Sequence, residues 1–179
     1  MTDNADALAP ELLYLEQHAC ALGRLAGNLS SLELVLRTLL YELAHEPHTP
    51  LASGQTLFGA KRGDRVPLNA LTSWAQLGDL IKAFNDSQAA HNPPLHIDPS
   101  LKALRDAFAH GRIVGNDSLS NLIMMRFAKP KGAEVFVEER HELTLEWMKA
   151  QSARVREALQ IAYLRLIEFP TQSSVRNGV

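Results

Sequence analysis

The stretch "LEQHACALGRLAGNLSSLELVLRTLLYEL", Leu15 to Leu43, decides how this chain is read. Leucine recurs at alternating steps of three and four, at Leu15, Leu22, Leu25, Leu29, Leu32, Leu36, Leu39 and Leu43, with His18 in the one missing slot. Such spacing lies on one face only in an α-helix, so a helix with a narrow apolar seam is predicted from Glu11 to about His45. Gly23 and Gly27 each cost about 1 kcal/mol against alanine and mark a place for a kink or break, where Asn28 or Ser30 can cap a second start. His18 reads as a core-edge histidine, not a ligand.

The other elements follow from the same rules. Residues 46–67 lack a sustained period and carry Pro and Gly throughout, as in a long loop. A second helix is predicted from Asn69 to Phe84, with Trp74, Leu77, Ile81 and Phe84 on one face. A third runs from Pro99 to His110: Asp98 suits the N-cap, Pro99 the first helical position and Gly111 the left-handed position after the end. "NLIMMRF" and "EVFVEER", joined by "AKPKGA", alternate like the arms of a β-hairpin. Thr144 can cap a last helix whose seam is Leu145, Met148, Ser152, Val155, Leu159, Ala162, Leu166 and Phe169, ended by Pro170. The predicted fold is all-α, a four-helix bundle with a small β-hairpin inserted before the last helix. Residues 1–10 and 170–179 are expected as flexible termini around a single domain of residues 11–169.

Several classes are excluded or disfavoured by composition. No apolar run approaches the ~18 residues that cross a bilayer, and the N-terminus lacks the pattern of a signal peptide, so a soluble, cytoplasmic protein without membrane partners is expected. Cys20 is the sole cysteine, which rules out an internal disulfide and a cysteine-rich zinc site; inside an apolar helix it reads as inert. A net charge of −2 supplies no global field for nucleic acid. Lys61, Arg62 and Arg65, and again Arg126, Lys129 and Lys131, form local basic groups that read as solvated turns. Glu33 and Arg37 read as a modest i,i+4 surface ion pair. His45, Glu46 and His48 lack a convergent third ligand, no phosphate-binding loop is present, and neither metal nor cofactor is expected.

The chemistry concentrates in "LKALRDAFAHGRIV", Leu101 to Val114. Twelve arginines and seven histidines in 179 residues give about 0.5 chance pairs at any one spacing, so Arg105 and His110 are informative only through their setting. Leu101, Leu104 and Phe108 form the core face of the helix. Asp106 and His110 lie four apart on the opposite side, Arg105 at the border, and Ala103 and Ala107 permit close approach of another surface.

"LRDAFAHGRI" resembles the Arg-x4-6-His signature of the HEPN superfamily, in which a polar residue such as Asp106 commonly follows the arginine. The resemblance implies a helical bundle with the motif near the end of its third main helix, dimerised so that two copies face one cleft. Many members are metal-independent endoribonucleases of toxin–antitoxin, abortive-infection or RNA-processing systems, whereas others are nucleotide-binding or interaction modules. Where toxins paired with a nucleotidyltransferase carry a modified tyrosine two positions after the histidine, this chain has Arg112. Any inhibitor, such as an antitoxin or other protein regulator, would therefore act by another route.

The implied catalytic residues are Arg105, His110 and Asp106. Histidine, with a reference pKa near 6.5, can take the proton of a ribose 2′-hydroxyl, and arginine can hold phosphate oxygens as charge builds. Asp106 is expected to orient the imidazole, and Arg112 and Lys102 are candidates for substrate phosphate contacts. The alternative is a non-catalytic helical dimerisation or regulatory module, with Arg105 and His110 as dipole-complementing residues at a helix end.

Overall fold

The computed structural model describes residues 3–44, 59–66, 68–90, 94–115 and 122–176. Among these are helices α1 (Asp3–Ala44), α2 (Leu77–Gln88), α3 (Leu101–His110) and α4 (Leu145–Arg176) and strands β1 (Arg112–Gly115), β2 (Leu122–Phe127) and β3 (Val137–Glu142). The strands form one antiparallel sheet in the order β1-β2-β3. The fold is therefore mixed α and β, and the all-α expectation is overturned by β1. That strand is four residues long and exposed throughout, so it carries no alternation by which its sequence could be told from a helix end. Most of the 46–67 loop, with His45, Glu46 and His48, lies outside the described residues.

Two compact units divide the chain: Met1–Ser30 with Ser100–Arg156, and Ser31–Pro99 with Glu157–Val179. In the first, Ala107, Met124, Leu143 and Met148 form a buried cluster. Ala21, Leu22, Phe108, Leu122, Leu145 and Trp147 pack against it. Met124, in the central strand, thus carries one face of the sheet into contact with helical side chains. The expected hairpin forms with its second arm shifted from residues 134–140 to Val137–Glu142, so that Ile123 lies opposite Glu142 and Met125 opposite Arg140. Thr144 caps α4, its Oγ1 accepting from the Trp147 N–H at 3.1 Å.

In the second unit Leu32, Leu36 and Leu39 of the leucine seam, Leu77, Ile81 and Phe84 of α2, and Ala162 of α4 are all buried. Asn85 binds the segment after α2 through both ends of its amide: Nδ2 donates to the Ile97 carbonyl and Oδ1 accepts from the Ile97 N–H, each at 2.9 Å. Helix α1 runs unbroken through Gly23 and Gly27 and starts at Asp3, not Glu11. Helix α4 continues through Pro170 to Arg176, although the proline removes one N–H from its ladder.

The predicted second helix is corrected at its start. Residues before Leu77 form turns: Oδ1 of Asn69 accepts from the Leu71 N–H at 2.9 Å. Arg37 takes up the backbone that a longer helix would have used. Its Nη1 donates to the carbonyls of Ala70 (3.1 Å) and Ser73 (3.0 Å), and its Nη2 to the carbonyl of Ala75 and to Glu33 Oε1 at 2.9 Å. Trp74, placed by sequence on a buried face, is 97% exposed. The Glu33–Arg37 pair is consequently a structural staple, with the arginine side chain only 13% exposed.

Helix α3 starts at Leu101 after Ser100, later than Pro99, and Gly111 is extended (φ −73°, ψ 165°), not left-handed. The glycine is required by space. Its N–H donates to the Ala107 carbonyl at 2.7 Å, and an added Cβ would collide with that same oxygen and lie 3.2 Å from Met124 Cγ.

Two outcomes follow. Gly111→Ala should destabilise by about 1–3 kcal/mol, the usual range for overpacking, read as a lower urea midpoint at constant m-value; an unchanged midpoint contradicts the close approach. Arg37→Ala should cost about 2–3 kcal/mol through bonds made by a charged donor and speed proteolysis within residues 59–76, and Arg37→Lys should recover less than half, since one ammonium cannot span three carbonyls and a carboxylate.

Candidate functional site

Helix α3 carries the candidate residues between its buried face, Leu101, Leu104 and Ala107, and solvent. Its core positions repeat at three and three, so Arg105 and Asp106 fall at the edge of the buried stripe and are half-buried, while Lys102 and His110 are exposed. His110 is the last residue of the helix, where a cation complements the free carbonyls. Arg112, two residues later, is exposed on β1 with its guanidinium 5.6 Å from the centre of the Phe127 ring, a cation–π contact across the sheet.

The carboxylate of Asp106 does not serve the imidazole as expected. Oδ1 lies 3.4 Å from Arg105 Nη1, and Oδ2 lies 3.4 Å from Lys102 Nζ. Both contacts come from within one helical turn, Lys102 four residues before Asp106 and Arg105 next to it. Asp106 is thus a positioning residue for Arg105, and its side chain is 13% exposed against 25% for the arginine.

The charge of Asp106 also reaches Arg126 on β2, a residue that sequence reasoning assigned to a solvated turn. Arg126 donates from Nε and Nη2 to Glu139 Oε1 at 3.1 and 2.6 Å, and its Nη1 lies 3.0 Å from Glu138. Its pKa is held above the ordinary arginine value, chiefly by the Glu139 hydrogen bond, with desolvation opposing and the charges of Glu139, Glu138 and Asp106 assisting. A cross-strand pairing of Arg126 with Glu139 underlies this. On the same strand His141 stacks on Trp147 at 5.2 Å and lies 3.6 Å from Glu139. The α3–sheet surface is therefore laced with ion pairs. Lys129 and Lys131, at the hairpin turn, are exposed, as are Lys61, Arg62 and Arg65.

His18 is a core histidine, 2% exposed. Its Nδ1 lies 2.9 Å from the Tyr14 carbonyl, which can only accept, so Nδ1 donates, and the buried Nε2 has no hydrogen-bond partner among the described residues. Cys20, in contrast, is exposed. Among the described residues no group of three His, Cys, Asp or Glu side chains could hold a metal ion, and no helix is long and apolar enough to cross a membrane.

No family model matches the chain, and neither the curated proteins nor the solved structures contain a significant match to it.

Because Asp106 holds two cations whereas Lys102 makes one exposed contact, Asp106→Asn should cost about 1–2 kcal/mol in urea unfolding and Lys102→Met only a few tenths. Equal costs would remove Asp106 from its role as the anchor of Arg105.

Proposed function

We propose that this chain is a HEPN-like, metal-independent endoribonuclease that works as a homodimer, with Arg105 and His110 as its chemical pair. The observation that carries this reading is the solvent-facing imidazole of His110 at the end of α3, on the same short helix as a guanidinium, Arg105, that is steadied by Asp106 and still a quarter exposed. Gly111 adds no side chain beside the imidazole, and Arg112 and Lys102 supply further positive charge for a phosphodiester backbone.

His110 takes the proton from a ribose 2′-hydroxyl, and the oxygen attacks the adjacent phosphorus. Arg105 binds the non-bridging oxygens as their charge grows. The P–O5′ bond breaks, and the departing 5′-oxygen is protonated by the imidazolium of the second copy's His110. A 2′,3′-cyclic phosphate and a 5′-hydroxyl result. Two histidines divide the acid and base roles that one cannot fill at the same moment. Cytoplasmic RNA is the substrate, in a toxin–antitoxin, defence or RNA-processing setting, and a protein antitoxin or regulator is the fitting control.

One observation favours a second reading, a non-catalytic dimerisation or regulatory module. Strand β1 is an edge of the sheet with Ile113 44% and Val114 39% exposed, a surface suited to strand addition.

The test is cleavage of a mixed RNA substrate in EDTA. Wild type should yield cyclic-phosphate ends, and His110→Ala should lose 10²–10⁴-fold, the contribution typical of a general base. Arg105→Lys should retain binding better than turnover. Equal inactivity of wild type and His110→Ala, with the dimer intact, would leave the module reading in its place.

A further inference from the structure

Within the unit formed by residues 1–30 and 100–156, α1 and the start of α4 line an open cavity of about 400 Å³. That volume lies in the range of small-molecule sites. Its lining comes from one face of each helix. Gln17, Ala21 and Arg24 recur at steps of four and three on α1, and Lys149, Ser152 and Arg156 at three and four on α4. Met148, 1% exposed, and the partly buried Ala21 and Leu145 give it an apolar floor continuous with the core cluster.

Three further lining residues are cationic. Arg24, Lys149 and Arg156 all border the cavity, and among the described residues no acidic side chain does. Several cations elsewhere in this protein are paired: Arg37 with Glu33, Lys82 with Asp86, Lys102 with Asp106, Arg126 with Glu138 and Glu139, Arg165 with Glu168. The three at the cavity make no ion pair among the described residues. Like charges converging on one concave surface repel, and a bound anion relieves that repulsion. Ser152 adds a second signal. It is 6% exposed, lines the cavity, and has no hydrogen-bond partner among the described residues. Its oxygen is not shut off from solvent, so a ligand oxygen can take the place of water beside it.

We propose that this cavity binds a small organic anion whose apolar body rests on Ala21, Leu145 and Met148 and whose phosphate, sulfonate or carboxylate head is held by Arg24, Lys149 and Arg156. Ser152 donates to a ligand oxygen at the junction of the two. The site stands on its own lining and is independent of Arg105 and His110, so its test does not use RNA cleavage.

Cys20 supplies the reporter, being the chain's sole cysteine, exposed, and part of the lining. Its alkylation by N-ethylmaleimide is followed by mass spectrometry during titration with phenyl phosphate, with inorganic phosphate and benzyl alcohol as the head and body alone. Phenyl phosphate should slow alkylation at least fivefold at saturation, inorganic phosphate should need a higher concentration, and benzyl alcohol should not protect. In Lys149→Gln/Arg156→Gln the half-protecting concentration of phenyl phosphate should rise at least tenfold. Both substituted side chains are exposed, and an unchanged circular dichroism spectrum verifies folding. Calorimetric titration of Cys20→Ser with phenyl phosphate, with and without the two substitutions, should give the same ratio of affinities. Alkylation unaffected by phenyl phosphate, or equal protection of wild type and double variant, overturns the proposal.

Discussion

The hydrogen bond from the Gly111 N–H to the Ala107 carbonyl, 2.7 Å long and with no room beside it for a side chain, is the constraint on which the first unit depends. It closes the last turn of α3 and turns the chain directly into β1. It also lets Met124 of β2 approach the helix end, and Met124 with Ala107, Leu143 and Met148 is the buried cluster that joins helix to sheet. A β-carbon at position 111 would have to displace either the backbone of α3 or the central strand. The motif from Arg105 to His110 occupies the turns immediately before this contact, so its orientation is inherited from a packing requirement.

Electrostatics then divides the cations into those that build and those left available. Arg37 donates to three carbonyls and a carboxylate and substitutes for the helical hydrogen bonds that residues 70–75 do not make. Arg126 ties β2 to β3 through two glutamates. Such bonds are worth more than surface ion pairs because the donor is charged and partly withdrawn from water. Arg105 stands between the two classes, restrained by Asp106 yet reachable by solvent. At the cavity that α1 and α4 line, Arg24, Lys149 and Arg156 share one surface with no carboxylate among the described lining residues.

Much was legible in the local pattern. The three-four spacing of leucines gave α1, although not its start at Asp3. Thr144 and the alternating arms gave the start of α4 and the hairpin. The histidine in the leucine seam was correctly a core residue. Each of these depends on neighbours within about one helical turn or across one tight connection. The misreadings share the opposite property. Trp74 fits a helical face by spacing, but Arg37, more than 30 residues away in sequence, claims the carbonyls around it. Asp106 has His110 at the right interval, but its carboxylate lies beside Lys102 and Arg105 instead.

The sequence by itself determined the long helices, the hairpin and the position of the Arg-His motif at a helix end, because hydrophobic periodicity and capping act over a few residues. Only the tertiary structure decided that a third strand exists, that Gly111 is needed for space and not for handedness, and which partner each charged side chain takes. Those outcomes are set by which surfaces meet, and a four-residue exposed strand or an unpaired cation carries no mark of its partner in the residues beside it.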